Sequence, residues 1–184
     1  MSGDATPNAR LDPAFLAARR GNPQVLEALV GIGTELAREG REGRRVGALF
    51  TLGDHEAVLS RSRPMILDPL AGHPASAKRL EAASVRETLK ELAQLDGAFV
   101  ISNEGTAVAA CRYLWASAEG IDLPLGLGSR HLAAAAMTRV TESVAVVVSE
   151  SSVVRMFDRG RLVLELLPDV PFRARQPESD PPES

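Results

Sequence analysis

The chain has 184 residues, of which 45% are hydrophobic, and a formal net charge of −3. This length and composition favour one globular domain with short tails, and the negative charge argues against a broad basic surface for nucleic acid. Cys111 is the only cysteine, which excludes an intrachain disulfide and a cysteine-based zinc cage. It lies in an Ala-rich apolar stretch, so we interpret it as a buried structural residue in a protein of a reducing, cytosolic compartment.

The first quarter of the chain predicts two helices. Asp12-Pro13 combines a cap with a proline at the first helical position, and Gly21 ends this short helix. Asn22-Pro23 repeats the signal, and Gly40 is predicted to end the second helix. The apolar residues of the second helix recur every three or four positions and form one buried stripe: Val25, Leu29, Ile32 and Leu36.

The middle of the chain predicts a strand, a loop and a further helix. We interpret the basic run 41–45 as a solvated connector and residues 46–52 as the first strand. Residues 60–74 contain three prolines and are predicted mostly as loop. Ser84 to Glu87 matches a capping box that opens a helix through Gln94, with a buried stripe of Val85, Leu89 and Leu92.

Strands dominate the remainder of the chain. Alternating or continuous apolar patterns and turn residues predict these segments: a hairpin of 97–101 and 106–111, a loop over 112–128, a helix over 130–137, a central strand over 143–149, and a last hairpin of 153–157 and 161–166.

This order of elements predicts an α/β fold with a central mixed β-sheet flanked by helices. We divide the chain into a leader with helices over residues 1–45, one α/β domain over 46–168, and a disordered tail over 173–184. Residues 1–10 are predicted to be a loose leader, and the tail is too rich in Pro, Glu and Ser to bury a core. The N-terminus does not resemble a secretory signal and the apolar runs are too short to span a bilayer, so we expect a soluble protein.

Two glycines precede a predicted helix start in the segment from Gly126 to His131. Ser129 can cap the helix, its free N–H groups suit a phosphate, and Arg130 adds a planar fork of donors. His131 lies in the first turn and is open to a packing or a phosphate role. Taken alone, the commoner interpretation is a tight loop with a solvated arginine, and the segment is not a P-loop.

Two further polar segments lie at strand ends. Asp96-Gly97-Ala98 begins a predicted strand, where a carboxylate can bind Mg²⁺ or Mn²⁺ or polarise a hydroxyl. The residues from Ser149 to Ser152 end another strand. Taken alone, each segment is more often a simple turn. His55 and His73 lie in polar segments that we interpret as loops, and we interpret both as surface histidines.

Taken together and in order, these segments resemble the diadenylate cyclase domain, the nucleotide-binding family of the DNA-integrity scanning protein DisA. The resemblance runs from Val46 to Leu167. It rests on Asp96-Gly97-Ala98 before a strand, on Gly128-Ser129-Arg130-His131 before an Ala-rich helix about 30 residues later, and on a strand that ends in Val148-Ser149-Glu150. Each motif is short, and the joint order and spacing carry the match.

The resemblance implies that two ATP molecules are condensed into cyclic di-AMP across a face-to-face homodimer or higher homo-oligomer. The sequence shows no obvious DNA-binding helix-hairpin-helix module and no membrane helix, so we expect neither nucleic acid nor membrane partners. The resemblance assigns Asp96 to the 3′-hydroxyl and to a divalent metal, Mg²⁺ or Mn²⁺, with Glu150 as a second metal or phosphate ligand. The catalytic set it implies is Asp96, Arg130 and His131. It further implies an ATP-binding set of Gly97, Ala98, Tyr113, Leu114, Gly128, Ser129, Arg130, His131, Ser149 and Glu150.

The chain departs from the family at two positions. Leu132 replaces a second arginine, which removes a charge-assisted contact worth about 1.5–3 kcal/mol, and Arg139 and Arg112 are the candidates to substitute for it. Ser151 stands where some relatives carry a glutamate. The departure at Leu132 favours a rival interpretation, a catalytically weak adenine-nucleotide sensor, and a third interpretation is an α/β interaction domain without a nucleotide site.

Overall fold

The structure is a computed structural model that describes residues 11–168, so the predicted leader (1–10) and tail (173–184) lie outside it. The described residues form the following elements in chain order: α1 (Pro13–Ala17), α2 (Pro23–Glu39), β1 (Ala48–Leu52), α3 (His55–Ser60), β2 (Ser62–Pro64), a 3-10 helix (Ala75–Lys78), α4 (Ala83–Leu92), β3 (Ala98–Ile101), β4 (Ala107–Leu114), α5 (Ser129–Val140), β5 (Val144–Val148), β6 (Val154–Asp158) and β7 (Arg161–Leu166).

Within residues 11–168 the strands form one seven-stranded sheet in the order β2-β4-β3-β1-β5-β6-β7. The pair β1 and β3 is parallel and the other pairs are antiparallel, so the predicted mixed sheet is confirmed. Strand β5 lies between β1 and β6, and all five of its residues are buried. Its run of valines suits a strand that is covered on both faces.

Helices cover both faces of the sheet. Successive side chains of a strand point to opposite faces, and β1 illustrates this: Phe50 packs in one core cluster with Leu29 of α2, whereas Leu49 packs in a second cluster with Met137 of α5. Helices α1 and α4 join the first cluster and α3 joins the second. The described chain therefore has three layers, with the sheet between two helical layers.

The predicted start and stop signals of α2 are confirmed. The Asn22 side chain accepts hydrogen bonds from the N–H groups of the first turn, and Gly40, with φ of 62°, ends the helix. Leu29, Ile32 and Leu36 of the predicted stripe are buried, and the remaining member, Val25, is partly buried against the same cluster.

Arg20, in the turn between α1 and α2, ties the N-terminal helices to the far end of α5. Its Nε donates to Oδ1 of Asp158 at 2.7 Å. Its terminal nitrogens donate to the carbonyl oxygens of Thr138 and Thr141, at 2.7 and 2.9 Å. The guanidinium therefore satisfies a buried carboxylate and the last carbonyls of a helix at the same time.

Residues 60–74 are mostly loop, as predicted, but they also contain the unpredicted strand β2, which pairs antiparallel with the end of β4. The same pairing extends β4 to Leu114, so the predicted loop start at Arg112 is wrong. Helix α3 was not predicted, and the interpretation of His55 as a loop residue is wrong, because His55 is the first residue of this helix. Asp54, which precedes the helix, makes no side-chain cap. Its carboxylate instead accepts from the distant N–H of Glu142 at 2.8 Å.

The predicted capping box of Ser84 and Glu87 is wrong. Helix α4 begins at Ala83, so Ser84 lies inside the helix, and no side chain caps it. Glu87 instead pairs with the buried ammonium of Lys90 at 2.6 Å. The interpretation of 41–45 as a solvated connector is wrong at Arg41, whose nearly buried guanidinium lies 3.0 Å from Glu91.

Candidate active site

A cleft of about 250 Å³ lies between the first turn of α5 and the strands β1, β3 and β4. Apolar side chains form most of its wall, and three charged residues also line it. The residues that line it are Leu49, Met65, Asp96, Gly97, Ala98, Arg112, Tyr113, Leu114, Ser129, Arg130 and Ala133. The structure thus brings together two segments that the sequence singled out separately, Asp96-Gly97-Ala98 and Ser129-Arg130.

Arg130 is the charged centre of this cleft. Its guanidinium lies 3.6 Å from the Asp96 carboxylate and 3.4 Å from the Glu150 carboxylate. Both carboxylates are largely exposed, at 79% and 69% of their side-chain surface. Exposed ion pairs contribute about 0–1 kcal/mol. An anionic ligand could therefore displace the two carboxylates from the guanidinium at little cost in free energy. Before the ligand binds, the carboxylates orient the guanidinium.

Gly97 fixes where Asp96 sits at the start of β3. Its φ is +106°, and a Cβ there would lie 2.5 Å from the carbonyl carbon of Cys111 on β4. Cys111 itself has φ of 54°, and the β3–β4 register shifts after Ala98. Only glycine fits this close approach of two strands, so the carboxylate one residue earlier is held at the rim of the cleft.

Tyr113 and Leu114 border the cleft from the end of β4. Leu114 is almost buried, whereas Tyr113 is half-exposed and its ring lies 4.9 Å from the guanidinium carbon of Arg63. An apolar wall with an exposed aromatic ring at one side and a cation at another matches the mixed character of a nucleotide.

His131 is buried below the cleft and does not line it. Its Nδ1 accepts the N–H of Gly128 at 3.2 Å, and its Nε2 lies 3.3 Å from the guanidinium of Arg155. Burial, together with the charges of Arg155 and Arg130, lowers the pKa of His131 to about 4. The ring is therefore neutral at neutral pH, and it holds Gly128, the N-cap residue of α5, in place.

This pKa predicts a loss of stability in acid. The unfolded chain binds a proton on the ring of His131 below about pH 6.5, and the folded protein does so only below about pH 4. The folded state should therefore lose about 3 kcal/mol of stability as pH falls through this interval. Urea denaturation at pH 7.5 and at pH 4.5 measures this loss. In His131→Gln the difference in the free energy of unfolding between the two pH values should be smaller by about 3 kcal/mol. An equal pH dependence in both proteins would contradict the prediction.

The remaining predicted residues lie near the cleft with other contacts. The Ser149 hydroxyl lies 2.8 Å from that of Ser151 and accepts the N–H of Val153. The prediction that Ser129 caps α5 is wrong, because Gly128 is the N-cap residue and Ser129 is the first residue of the helix. Leu132 is exposed and does not line the cleft.

The two arginines considered as substitutes at position 132 are placed differently. Arg139 lies in the last turn of α5, and its guanidinium donates to the carbonyl oxygens of Ser117 and Glu119 at 2.8 and 2.7 Å. Arg112 lines the cleft, although it also donates to the carbonyl oxygen of Ser62 at 2.9 Å. Of the two, Arg112 is therefore the one near a cleft-bound anion.

Sequence reasoning missed three apolar lining residues. Ala133 lies four positions after Ser129 on α5, so helical spacing could have found it. Leu49 lies on the correctly predicted first strand, but only the parallel pairing of β1 with β3 brings it beside Ala98. Met65 follows β2, for which the sequence carried no signal.

The acidic residues suit a divalent ion that arrives with a phosphate ligand. Within residues 11–168 no group of three or more His, Cys, Asp or Glu side chains could hold a metal by itself. Asp96 and Glu150 flank Arg130, however, and Mg²⁺ commonly binds through one or two carboxylates together with substrate phosphates and water. The two carboxylates therefore fit a metal that is bound jointly with a nucleotide.

Comparison with known proteins places the chain among nucleotide-binding domains. Residues 35–162 match the family model described as DAC, DisA bacterial checkpoint controller nucleotide-binding. A diadenylate cyclase of Methanocaldococcus jannaschii is 44% identical over 146 residues, which are 79% of this chain and 46% of that protein. A diadenylate cyclase of Haloferax volcanii is 44% identical over 156 residues, 84% of this chain and 57% of that protein. The chain therefore spans about half the length of these curated relatives.

Solved structures support the fold. A DacA double mutant from Staphylococcus aureus has a TM-score of 0.50 and 20% identity, covering 76% of this chain and 84% of that one. A hypothetical membrane-spanning protein from Bacillus cereus has a TM-score of 0.57 and 19% identity, covering 81% of this chain and 65% of that one. In the part of this chain that the structure describes, no helix has the length and apolar character needed to cross a bilayer.

Proposed function

The chain belongs to the DisA bacterial checkpoint controller nucleotide-binding (DAC) family, and from this membership we propose that it is a diadenylate cyclase that condenses two ATP molecules into cyclic di-AMP. The two 44%-identical relatives that carry this name support the proposal. We propose that the nucleotide site lies within residues 46–168, with the N-terminal helices as its support. The single buried cysteine is compatible with a cytosolic location.

The proposed reaction consists of two reciprocal nucleotidyl transfers. The 3′-hydroxyl of each ATP attacks the α-phosphorus of the other, a 3′–5′ phosphodiester forms, and the bond from the α-phosphorus to the bridging oxygen breaks. Two pyrophosphates leave, and the two hydroxyl protons pass to acceptor groups or solvent. One cleft binds one ATP in this proposal, so two copies of the chain must face each other.

The main predicted site residues receive roles that their positions support. The exposed Asp96 carboxylate would accept the proton of the 3′-hydroxyl or polarise this hydroxyl. Together with Glu150 it would hold a divalent ion that neutralises phosphate charge. Arg130 and the first N–H groups of α5 would bind the triphosphate and stabilise the leaving pyrophosphate. Tyr113 and Leu114 would border the adenine, and Gly97 and Ala98 the ribose. His131 would act by holding the start of α5, since its ring is buried and neutral.

The observation that carries the proposal is the convergence of Asp96 and Arg130, 34 positions apart in sequence, at 3.6 Å in one cleft. The experiment is incubation of the purified protein with ATP and Mn²⁺ or Mg²⁺, followed by chromatography for cyclic di-AMP and pyrophosphate. Formation of both products supports the proposal. Absence of product with either metal, at protein concentrations where dimers are abundant, contradicts it.

The need for two facing clefts predicts a concentration dependence. The rate per subunit should rise as protein concentration increases and should level off when dimers predominate. Initial rates over a wide dilution series, compared with the dimer fraction from analytical ultracentrifugation, measure this. A rate per subunit that stays constant while the protein dissociates to monomers would contradict the face-to-face arrangement.

A catalytically weak adenine-nucleotide sensor is the second candidate, and Leu132 is the observation that favours it. The chain lacks an arginine at this position, and Arg139 is bound to a loop on the far end of α5. In the same incubation a sensor would retain ATP or cyclic di-AMP and release no pyrophosphate. The interaction-domain interpretation predicts that neither nucleotide binds.

A further inference from the structure

Gly47, the residue before β1, is buried and lies directly against the guanidinium of Arg130. A Cβ placed on Gly47 would lie 2.5 Å from Nη1 of Arg130 and 2.9 Å from its Cζ. Ordinary van der Waals contacts of a Cβ begin at about 3.4 Å. The space that a side chain at position 47 would need is therefore the space that the guanidinium occupies.

The backbone conformation at position 47 does not require glycine. The φ of Gly47 lies outside the left-handed region, unlike that of Gly97. An alanine could adopt this backbone without strain. The three atoms nearest to such a Cβ all belong to the far end of the Arg130 side chain.

We propose that Gly47 is a positioning residue for the nucleotide site, because its lack of a side chain lets the Arg130 guanidinium lie against the start of β1, between Asp96 and Glu150. This inference rests on the proposed function, in which Arg130 binds the triphosphate. The contact links two elements that are far apart in sequence, the start of the first strand and the first turn of α5. It sets the direction from which the cation meets the phosphates.

An alanine at position 47 should move the guanidinium and leave the fold in place. The clashing atoms belong to a flexible side chain, so Arg130 can rotate away without a shift of the backbone. The displacement needed is roughly 1 Å, and misplacement of a catalytic group by 1 Å can reduce a rate about 100-fold. We therefore expect Gly47→Ala to lower kcat by about 10- to 100-fold and to leave the urea midpoint unchanged.

The test compares four variants with the wild type: Gly47→Ala, Arg130→Ala, the double variant, and Gly31→Ala as the matched control. Gly31 lies within α2, and a Cβ there would meet nothing within 4 Å, so this control should retain wild-type kcat. If Gly47 acts through Arg130, Gly47→Ala should have no further effect on kcat or ATP affinity in the Arg130→Ala background. An equal loss in both backgrounds, or wild-type kcat in Gly47→Ala, would overturn the inference.

Two additional readouts keep the inference separate from the proposed function. The Nε–Hε signal of Arg130 in a ¹⁵N spectrum, assigned with Arg130→Ala, should shift in Gly47→Ala even if the wild type proves to make no cyclic di-AMP and bind no ATP. An unchanged signal would refute the positioning role. If Gly47→Ala alone is unstable, the double variant should recover a wild-type urea midpoint, and a double variant that is equally unstable would also refute it.

Discussion

Replacement of Asp96 by Asn should abolish cyclic di-AMP formation and leave ATP binding largely intact. The amide has the same shape as the carboxylate, but it can neither accept the proton of the 3′-hydroxyl nor neutralise a divalent ion. A general base typically contributes about 100- to 10,000-fold to a rate, so we expect kcat to fall by about 1,000-fold. ATP affinity should change little, because Arg130 and the apolar wall remain. Chromatographic assay and a titration with ATP measure the two quantities separately.

A control variant separates this effect from a general change in charge. Glu27 is exposed on α2 and does not line the cleft, so Glu27→Gln removes one negative charge elsewhere and should retain wild-type kcat. Turnover by Asp96→Asn within tenfold of the wild type would show that this carboxylate is not the group that activates the hydroxyl.

The largest effect on stability is expected from Arg20→Ala. The Asp158 carboxylate is only 1% exposed, and Arg20 is its close partner at 2.7 Å. Removal of one partner of a buried ion pair typically costs about 3–5 kcal/mol, because the remaining charge stays uncompensated. The truncation also leaves the carbonyls of Thr138 and Thr141 without their donor. Urea denaturation at neutral pH should show this loss as a lower midpoint.

Two variants test the cause of that loss. Arg159 contacts the same Asp158 carboxylate at 3.8 Å but is mostly exposed, so Arg159→Ala should cost less than about 1 kcal/mol. Asp158→Asn in the Arg20→Ala background removes the buried charge and should recover part of the lost stability. If Arg20→Ala destabilises the protein no more than Arg159→Ala does, the contacts of Arg20 at the end of α5 do not contribute to stability.

Local signals predicted most of the helices and strands, and long-range contacts account for the failures. Proline at Pro13 and Pro23 and glycine at Gly40 mark real helix ends, because these residues act on their own backbone. The acidic residue of the predicted capping box is engaged elsewhere, and so is Asp54, which precedes the unpredicted helix α3. Glu87 binds Lys90, three positions later on the same helix, and Asp54 accepts from the N–H of Glu142, which lies 88 positions away in the sequence.

The residues of the candidate site that belong to short sequence motifs could be predicted. The residues that only strand pairing and helix packing bring to the site could not. Asp96 and Arg130 stood out because each belongs to a short segment with its own glycine, and the family resemblance joined them. Leu49 reaches the cleft only through the pairing of β1 with β3, and Gly47 meets Arg130 only through the packing of α5 on the sheet. A three-residue strand such as β2 has too few positions for a periodic signal, so Met65 could not be assigned to the cleft.

The outermost strand beside the cleft has a consequence for self-association. β2 is only three residues long and ends in Pro64, which has no N–H, while the carbonyl oxygen of Ser62 already accepts from Arg112. Short, proline-terminated borders of this kind are poor templates for another chain to extend a sheet. We therefore expect copies of this protein not to polymerise by adding strands to this edge of the sheet. Any self-association on this side should rest on side-chain contacts and not on backbone hydrogen bonds.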